Sequence, residues 1–323
     1  MSAPLIVLRR GGMQDIVQIV ILSRDRPEYL KETIDSVLNQ KLSTAVVEIV
    51  VSDNSEKDGV EVMISRDYSN DNLDYIRRVP SASSLEHFQL VISECKKKYV
   101  VLFHDDDIMH PDYIETMFPF IQKEGVAAVG CSTFVFKDDF KKSLRAKSHD
   151  FKQPKTFISE KSFLEQYIPG SSGVAVFPGY MYNTACLKKI KLNNVRRKEG
   201  GSDVLMLNSL LTYGPIVWIP DFLMYYRLHD SNDGNNLYTV DHISLLNCMS
   251  HNGLDKNTIA ASMRFNYLFQ WLLAQDIKNI FLWRNRIVFK YLFFKSFYLM
   301  SKPDLWKSLL NNRFIKNIIL KRF

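Results

Sequence analysis

Three consecutive aspartates, Asp105, Asp106 and Asp107, stand directly after the apolar run Tyr99 to Phe103 in YVVLFHDDDIMHP. Clustered carboxylates raise one another's pKa unless a cation neutralises them, so a hard divalent metal held by oxygen ligands is the chemistry that this spacing invites. The plainer alternative is a solvated acidic turn that caps a helix starting near Pro111. A position at the end of an apolar strand favours the first reading. A fourth carboxylate, Asp53, follows another apolar run in VVEIVVSDNSEKDG. There it can accept a hydrogen bond from the imide N–H of a nucleobase, although SDNS alone is also a common turn. The chain contains neither GxGxxG nor the P-loop pattern GxxxxGKS/T. A nicotinamide dehydrogenase or a P-loop NTPase would therefore lack its phosphate cradle, and any diphosphate must be held by metal and side chains.

Elements able to hold these acids are visible in the hydrophobic pattern. Short β-rich runs occur at Ile16 to Leu22, Val46 to Val51, Leu73 to Ile76, Tyr99 to Phe103 and Val126 to Gly130, and they read as strands. Between the first two, Pro27 opens a segment with Tyr29, Leu30, Thr33, Ile34, Val37 and Leu38 on one stripe, a helical period. Strand, helix, strand in repetition predicts an α/β protein with a largely parallel sheet wrapped by helices. Ligands of such sheets sit beyond the carboxyl ends of the strands. The residues there are Ser23 to Arg26, Ser52 to Ser55 and His104 to Asp107. From about Lys137 to Gly201 the pattern weakens into loops and hairpins, with one short helix near Glu160 to Tyr167. Asp203 then opens a helical segment, followed by Gly214-Pro215, a strand-like IVWIP and the run MYYRLHDSNDG. Beyond Thr258 everything reads helical, which divides the chain into residues 1–257 and a C-terminal region 258–323.

Composition narrows the class. The 323 residues are 46% hydrophobic and 24% charged, an ordinary globular make-up that excludes disordered and fibrous proteins. The four cysteines lie at least 36 residues apart, so they form neither a CxxC metal knuckle nor a dense disulfide framework. The N-terminal stretch places its apolar residues before its arginines, the reverse of a secretory signal. Even the most apolar segment, IVFKYLFFKSFYLM, is interrupted by Lys290 and Lys295, too soon for a membrane span. The expectation is a cytoplasmic protein. Its net charge of +7 is uneven: Ile277 to Phe323 carry eleven basic residues against Asp304 alone, leaving 31 basic against 34 acidic in the remainder. A near-neutral body argues against nucleic acid as partner, while a basic tail interleaved with Trp283, Phe293, Phe294 and Trp306 has the make-up of an amphipathic helix on an anionic membrane surface. A helical cap packed on the body is the alternative.

In the order VILSRDRPEYLKETIDSVLNQ, EIVVSDNSEKDG, YVVLFHDDDIMHPDYIE, then GSDVLML with MYYRLHDSNDG, the chain resembles the bacterial family 2 glycosyltransferases of the GT-A fold, over about Val17 to Asn236. The resemblance implies a Rossmann-like, mostly parallel sheet flanked by helices, here with a helical C-terminal appendage. It also implies a nucleotide-diphospho-sugar donor, a divalent cation such as Mn or Mg, and transfer with inversion at the anomeric carbon.

Carried over by position, Asp53 matches the carboxylate that reads the donor base, and Asp25 with Arg26 matches the first-strand loop beside that base. Asp106 and Asp107 match the acids of the metal-binding motif, whose commonest form begins with an acid where this chain has His104. That departure keeps Asp105 in play as a ligand of metal or of sugar hydroxyls. Arg227 and His229 match an RxH element near the diphosphate, where the His can complete the metal shell and the Arg can pair with phosphate. Asp203 matches the catalytic base at the start of a helix, although Ser202 stands where the family usually has a second acid, and the same position suits a helix cap. Tyr180 and Tyr182 can serve as a sugar-stacking platform or as core.

The resulting expectation is a transferase moving a hexose, most simply from a UDP-sugar, to a polyprenyl-diphosphate-linked glycan in the assembly of O-antigen or capsule. It would work as a peripheral protein on the inner face of the cytoplasmic membrane. The alternatives are a sugar nucleotidyltransferase, which would want a glycine-rich triphosphate loop that SRDRPEYL lacks, and a glycan-binding protein on a degenerate transferase scaffold.

Overall fold

The computed structural model describes residues 15–69, 71–137, 145–147, 152–160, 162–163, 177–190 and 202–229. The boundary at residue 258, the helical basic tail and most of the short helix expected near Glu160 lie outside the described residues.

The first half follows the strand–helix alternation. Strand β1 (Ile16–Ser23) leads to α1 (Pro27–Leu38), β2 (Val46–Asp53), α2 (Gly59–Asp67), β3 (Leu73–Arg77), α3 (Ser84–Glu94) and β4 (Tyr99–His104). Strand β5 (Ile108–Met109), α4 (Tyr113–Ile121) and β6 (Ala128–Lys137) come next. After them come β7 (Arg145–Lys147), β8 (Lys155–Phe157), β9 (Tyr180–Asn183), α5 (Thr184–Leu187), α6 (Ser202–Leu210) and β10 (Ile216–Leu228). They build one ten-stranded sheet in the order β3-β2-β1-β4-β9-β6-β10-β5, with β7 added to β6 and β8 to β10. Strands β1 to β4 pair in parallel.

Both faces of the parallel part are buried, which is why these strands read as continuous apolar runs. Alternate residues feed two cores. Ile19, Ile21, Val51, Val101 and Phe103 pack with Leu30, Ile34, Met117 and Phe118, whereas Val20, Val50, Val100 and Leu102 pack with Val91, Leu207 and Trp218. Helix α1 begins at Pro27, whose fixed φ and missing N–H suit a first turn. Helix α3 begins with a capping box between Ser83 and Glu86.

Two elements exceed the expectations. The strand read at Val126 to Gly130 runs on to Lys137 because its later residues pair with β10, Phe134 with Tyr225 and Phe136 with Arg227. IVWIP and MYYRL in turn form one strand. Its register shifts between Ile219 and Phe222, so Pro220, which has no N–H to give to a ladder, sits at the irregularity. Gly130 permits the central stacking, since a Cβ there would lie 2.6 Å from the rings of Trp218 and Tyr180.

The register brings the candidate residues to one edge. Ser23 is opposite Asp53 and Leu22 opposite His104, so the ends of β1, β2 and β4 are level. Strand β1 lies between β2 and β4, which makes this edge the point where the chain switches direction across the sheet, the place where ligands of such sheets bind.

Candidate active site

The acid run begins where β4 leaves the sheet. The N–H of Asp105 still donates to Leu22 O at 3.2 Å, and its buried carboxylate accepts from Arg24 N at 2.9 Å and Arg26 Nη2 at 2.5 Å. Burial outweighs Arg26 there and pushes the Asp105 carboxyl up to about 6. Asp106 Oδ2 accepts from Arg26 Nη1 at 2.7 Å and from His229 Nε2 at 2.8 Å. Burial opposes ionisation of Asp106, yet His104, Arg26 and His229 together hold it below the usual carboxylate range.

Asp107 is fully buried, and burial with Asp106 beside it holds its carboxyl well above the ordinary value. One oxygen, Oδ1, accepts from Arg227 N at 2.9 Å; the other, Oδ2, has no hydrogen-bond partner among the described residues. A buried carboxylate oxygen without a donor is costly. His104, Asp106 and Asp107 each offer a ligand atom, all within 4.8 Å of one another. Two carboxylates and an imidazole so placed fit a divalent cation, which would also satisfy the orphaned oxygen.

His229 and Arg227 reach the same place from the end of β10 but serve different parts of it. His229 meets Asp106 directly and packs against the Tyr29 ring at 5.5 Å. The Arg227 guanidinium lies between the rings of Tyr29 and Phe136, at 4.5 and 4.6 Å from their centroids. Its Nε donates to Asp106 O at 2.8 Å and its Nη2 to Glu32 at 2.6 Å. With the side chain only 5% exposed, Arg227 acts in this structure as the clamp that positions the acid loop.

Asp53 occupies the end of β2, wholly buried. Its Oδ1 accepts from both the N–H and the hydroxyl of Ser55, and its Oδ2 from Tyr75 at 2.7 Å. The Ser55 hydroxyl also accepts from Asp25 N at 2.7 Å, and the Asp25 carboxylate accepts from Lys57 N at 3.2 Å. Asp25 adopts φ 53°, the left-handed region that Asp tolerates better than most residues, and so turns the chain from β1 into α1. Thus Asp53, Ser55, Asp25 and Arg26 form one connected loop system that ends on the acids.

Asp203 lies in the first turn of α6, half-buried, with Oδ1 accepting from Val204 N at 2.9 Å. Its charge is felt by Tyr182 and Tyr180, although burial is the larger reason that both phenols are raised. Both tyrosines are fully buried, so they are core and not a sugar platform. Strand β9, which carries both tyrosines, runs antiparallel to β4, with Met181 opposite Val101.

Sequence reasoning treated His104 only as a departure from a motif, and it missed the pairing of Arg26 with Asp105 and Asp106. Direct adjacency in HDDD was a usable signal for the first. The second depends on a turn at Asp25 that spacing does not reveal.

Residues 18–190 match the family model described as Glycosyl transferase family 2. Over 217 residues the chain is 22% identical to the uncharacterized glycosyltransferase MJ1057 of Methanocaldococcus jannaschii, covering 66% of this chain and 71% of that protein. Over 111 residues it is 27% identical to the abequosyltransferase RfbV of Salmonella typhimurium, covering 34% of this chain and 33% of RfbV. In fold it resembles TarS 1–349 of S. aureus solved in complex with UDP-GlcNAc, with TM-score 0.61, 12% identity and coverage of 85% of this chain and 79% of that one. The same protein in complex with UDP gives TM-score 0.55 at 15% identity, covering 81% and 76% of the two chains.

Proposed function

The chain belongs to glycosyl transferase family 2 and is a glycosyltransferase, and from that premise we propose a donor, a cation and an acceptor. The donor is a nucleotide-diphospho-sugar, most simply a UDP-hexose. The cation is Mn or Mg, held by Asp106 and Asp107 with His104, while His229 bonds to Asp106. The acceptor is a polyprenyl-diphosphate-linked glycan of surface-polysaccharide assembly. One observation carries this reading: the orphaned Asp107 oxygen within a three-ligand cluster, at the sheet edge where the strand order switches.

A sugar acceptor must lose a hydroxyl proton as its oxygen forms a bond to the anomeric carbon and the bond from that carbon to the diphosphate breaks. Asp203, half-buried at the start of α6, takes that proton on its carboxylate. When bound, a divalent cation supplies fixed positive charge that stabilises a departing diphosphate. Asp53 and the Asp25 loop hold the base side of the donor. Asp53 Oδ2 accepts from Tyr75 and, as a carboxylate oxygen, has a second acceptor site to offer a base N–H.

RfbV, named as an abequosyltransferase, supports transfer of a sugar, and the TarS complexes, which hold UDP-GlcNAc and UDP, support a uridine nucleotide. A basic tail of eleven Lys and Arg against one acid supports attachment to the anionic inner face of the cytoplasmic membrane. The test is thermal unfolding of the full chain with a panel of nucleotide sugars, with and without Mn²⁺. A ligand that binds only the folded state raises Tm. One UDP-sugar should do so by several degrees and only with the cation; a panel without any shift would contradict the donor assignment.

A further inference from the structure

Arg26 is the least expected member of the acid cluster. Its guanidinium spans two carboxylates, with Nη2 on Asp105 at 2.5 Å and Nη1 on Asp106 at 2.7 Å, and the same Nη1 lies 3.3 Å from His229 Nε2. A planar fork is well suited to bridge two acids in this way. Asp106 is also one of the three residues of the cation cluster. A unit positive charge thus already sits against a carboxylate that the divalent cation needs.

The backbone fixes this arrangement. Left-handed Asp25 precedes Arg26, Pro27 follows it in the first turn of α1, and Arg26 O accepts from Leu30 N at 3.0 Å. Asp25 is tied to Ser55, and Ser55 to Asp53. The guanidinium side chain remains 31% exposed, so it keeps a side open to solvent while its root is held. An anionic ligand there gives it a second charged partner.

We propose that Arg26 is the resident counter-cation of the acid cluster and keeps its affinity for divalent cation low until a phosphate-bearing ligand draws the guanidinium away. The inference rests on the reading that His104, Asp106 and Asp107 hold a divalent cation. Two positive groups within a few ångströms repel strongly where the dielectric is low, and any ligand that removes one of them favours the other. Such coupling is reciprocal: the cation tightens the anion as much as the anion tightens the cation. Arg26 is then a positioning residue whose charge links the two binding events.

Its test reads metal binding and not turnover. Donor-free full-length protein, R26Q and R26K are titrated with Mn²⁺, and free Mn²⁺ is followed by electron paramagnetic resonance. R26Q should bind Mn²⁺ at least roughly tenfold more tightly than wild type. R26K, which keeps the charge but cannot span both acids, should fall between. Repeating the titration with UDP, corrected for the Mn–UDP complex in solution, should tighten Mn²⁺ binding more in wild type than in R26Q. A Kd in both variants equal to or weaker than wild type overturns the proposal, and so does an equal UDP effect in wild type and R26Q. If R26Q fails to fold, R26K alone decides: tighter binding supports the proposal and unchanged binding overturns it. Absence of Mn²⁺ binding by all three proteins, with and without UDP, would instead remove the cation reading on which the proposal stands.

Discussion

The backbone N–H of Arg227 donates to Asp107 Oδ1 at 2.9 Å, joining the end of β10 to an acid loop 120 residues earlier in the chain. The same residue's guanidinium reaches Asp106 O and Glu32 and lies between Tyr29 and Phe136. R227M keeps the backbone bond but loses the guanidinium contacts. It should cost about 1–3 kcal/mol of stability, read as a lowered urea midpoint. An unchanged midpoint would show that Arg227 is not a clamp and would free it for a phosphate role.

Asp203 tests the base assignment. D203N preserves shape and can still accept from Val204 N, but it removes basicity. The expected result is a fall in kcat of at least roughly a hundredfold with donor binding retained. A near-normal kcat would reduce Asp203 to a cap of α6.

Much of this site was legible because strand ends carry their chemistry in sequence. The apolar runs before Asp53 and His104 are buried on both faces, so their polar successors had to fall at one sheet edge. Pro27 marked the start of α1 for a local reason. What was not legible depends on pairing across long separations. The extension of β6 past Gly130 comes from β10, and the burial of Tyr180 and Tyr182 comes from insertion of β9 between β4 and β6. The role of Arg227 follows from stacking between α1 and β6, which an RxH spacing cannot distinguish from phosphate binding.

His87 offers a pH test away from the acids. It is buried on α3 with Nε2 2.8 Å from Ser52 Oγ, which also accepts from Arg78 Nε at 3.0 Å. Burial, then Arg78, pushes the imidazole down to about 4 from 6.5. Between those values the unfolded chain takes up a proton that the folded chain refuses, so stability falls as pH drops through that window. Urea midpoints across pH 6.5 to about 4 should show a shallower fall for H87Q than for wild type. Equal slopes would place the acid sensitivity elsewhere.

The tail makes a prediction from charge alone. With eleven basic residues and one acid after Asp276, attraction to anionic lipid should reside there and weaken as salt shortens the screening length to roughly 3 Å at 1 M. Vesicle co-sedimentation of the full chain with phosphatidylglycerol, against neutral phosphatidylcholine and across salt, measures it. Binding that ignores both lipid charge and salt would contradict the membrane assignment.

If this glycosyltransferase works on a nucleotide sugar through a cation at the acids after β4, UDP release from UDP-sugars by the wild-type chain should proceed in Mn²⁺ and be lost in chelator. In D107N, provided that the protein still unfolds cooperatively, release should fall by at least roughly a hundredfold. Equal turnover of wild type in Mn²⁺ and chelator, or a D107N as active as wild type, would contradict that role of the cation.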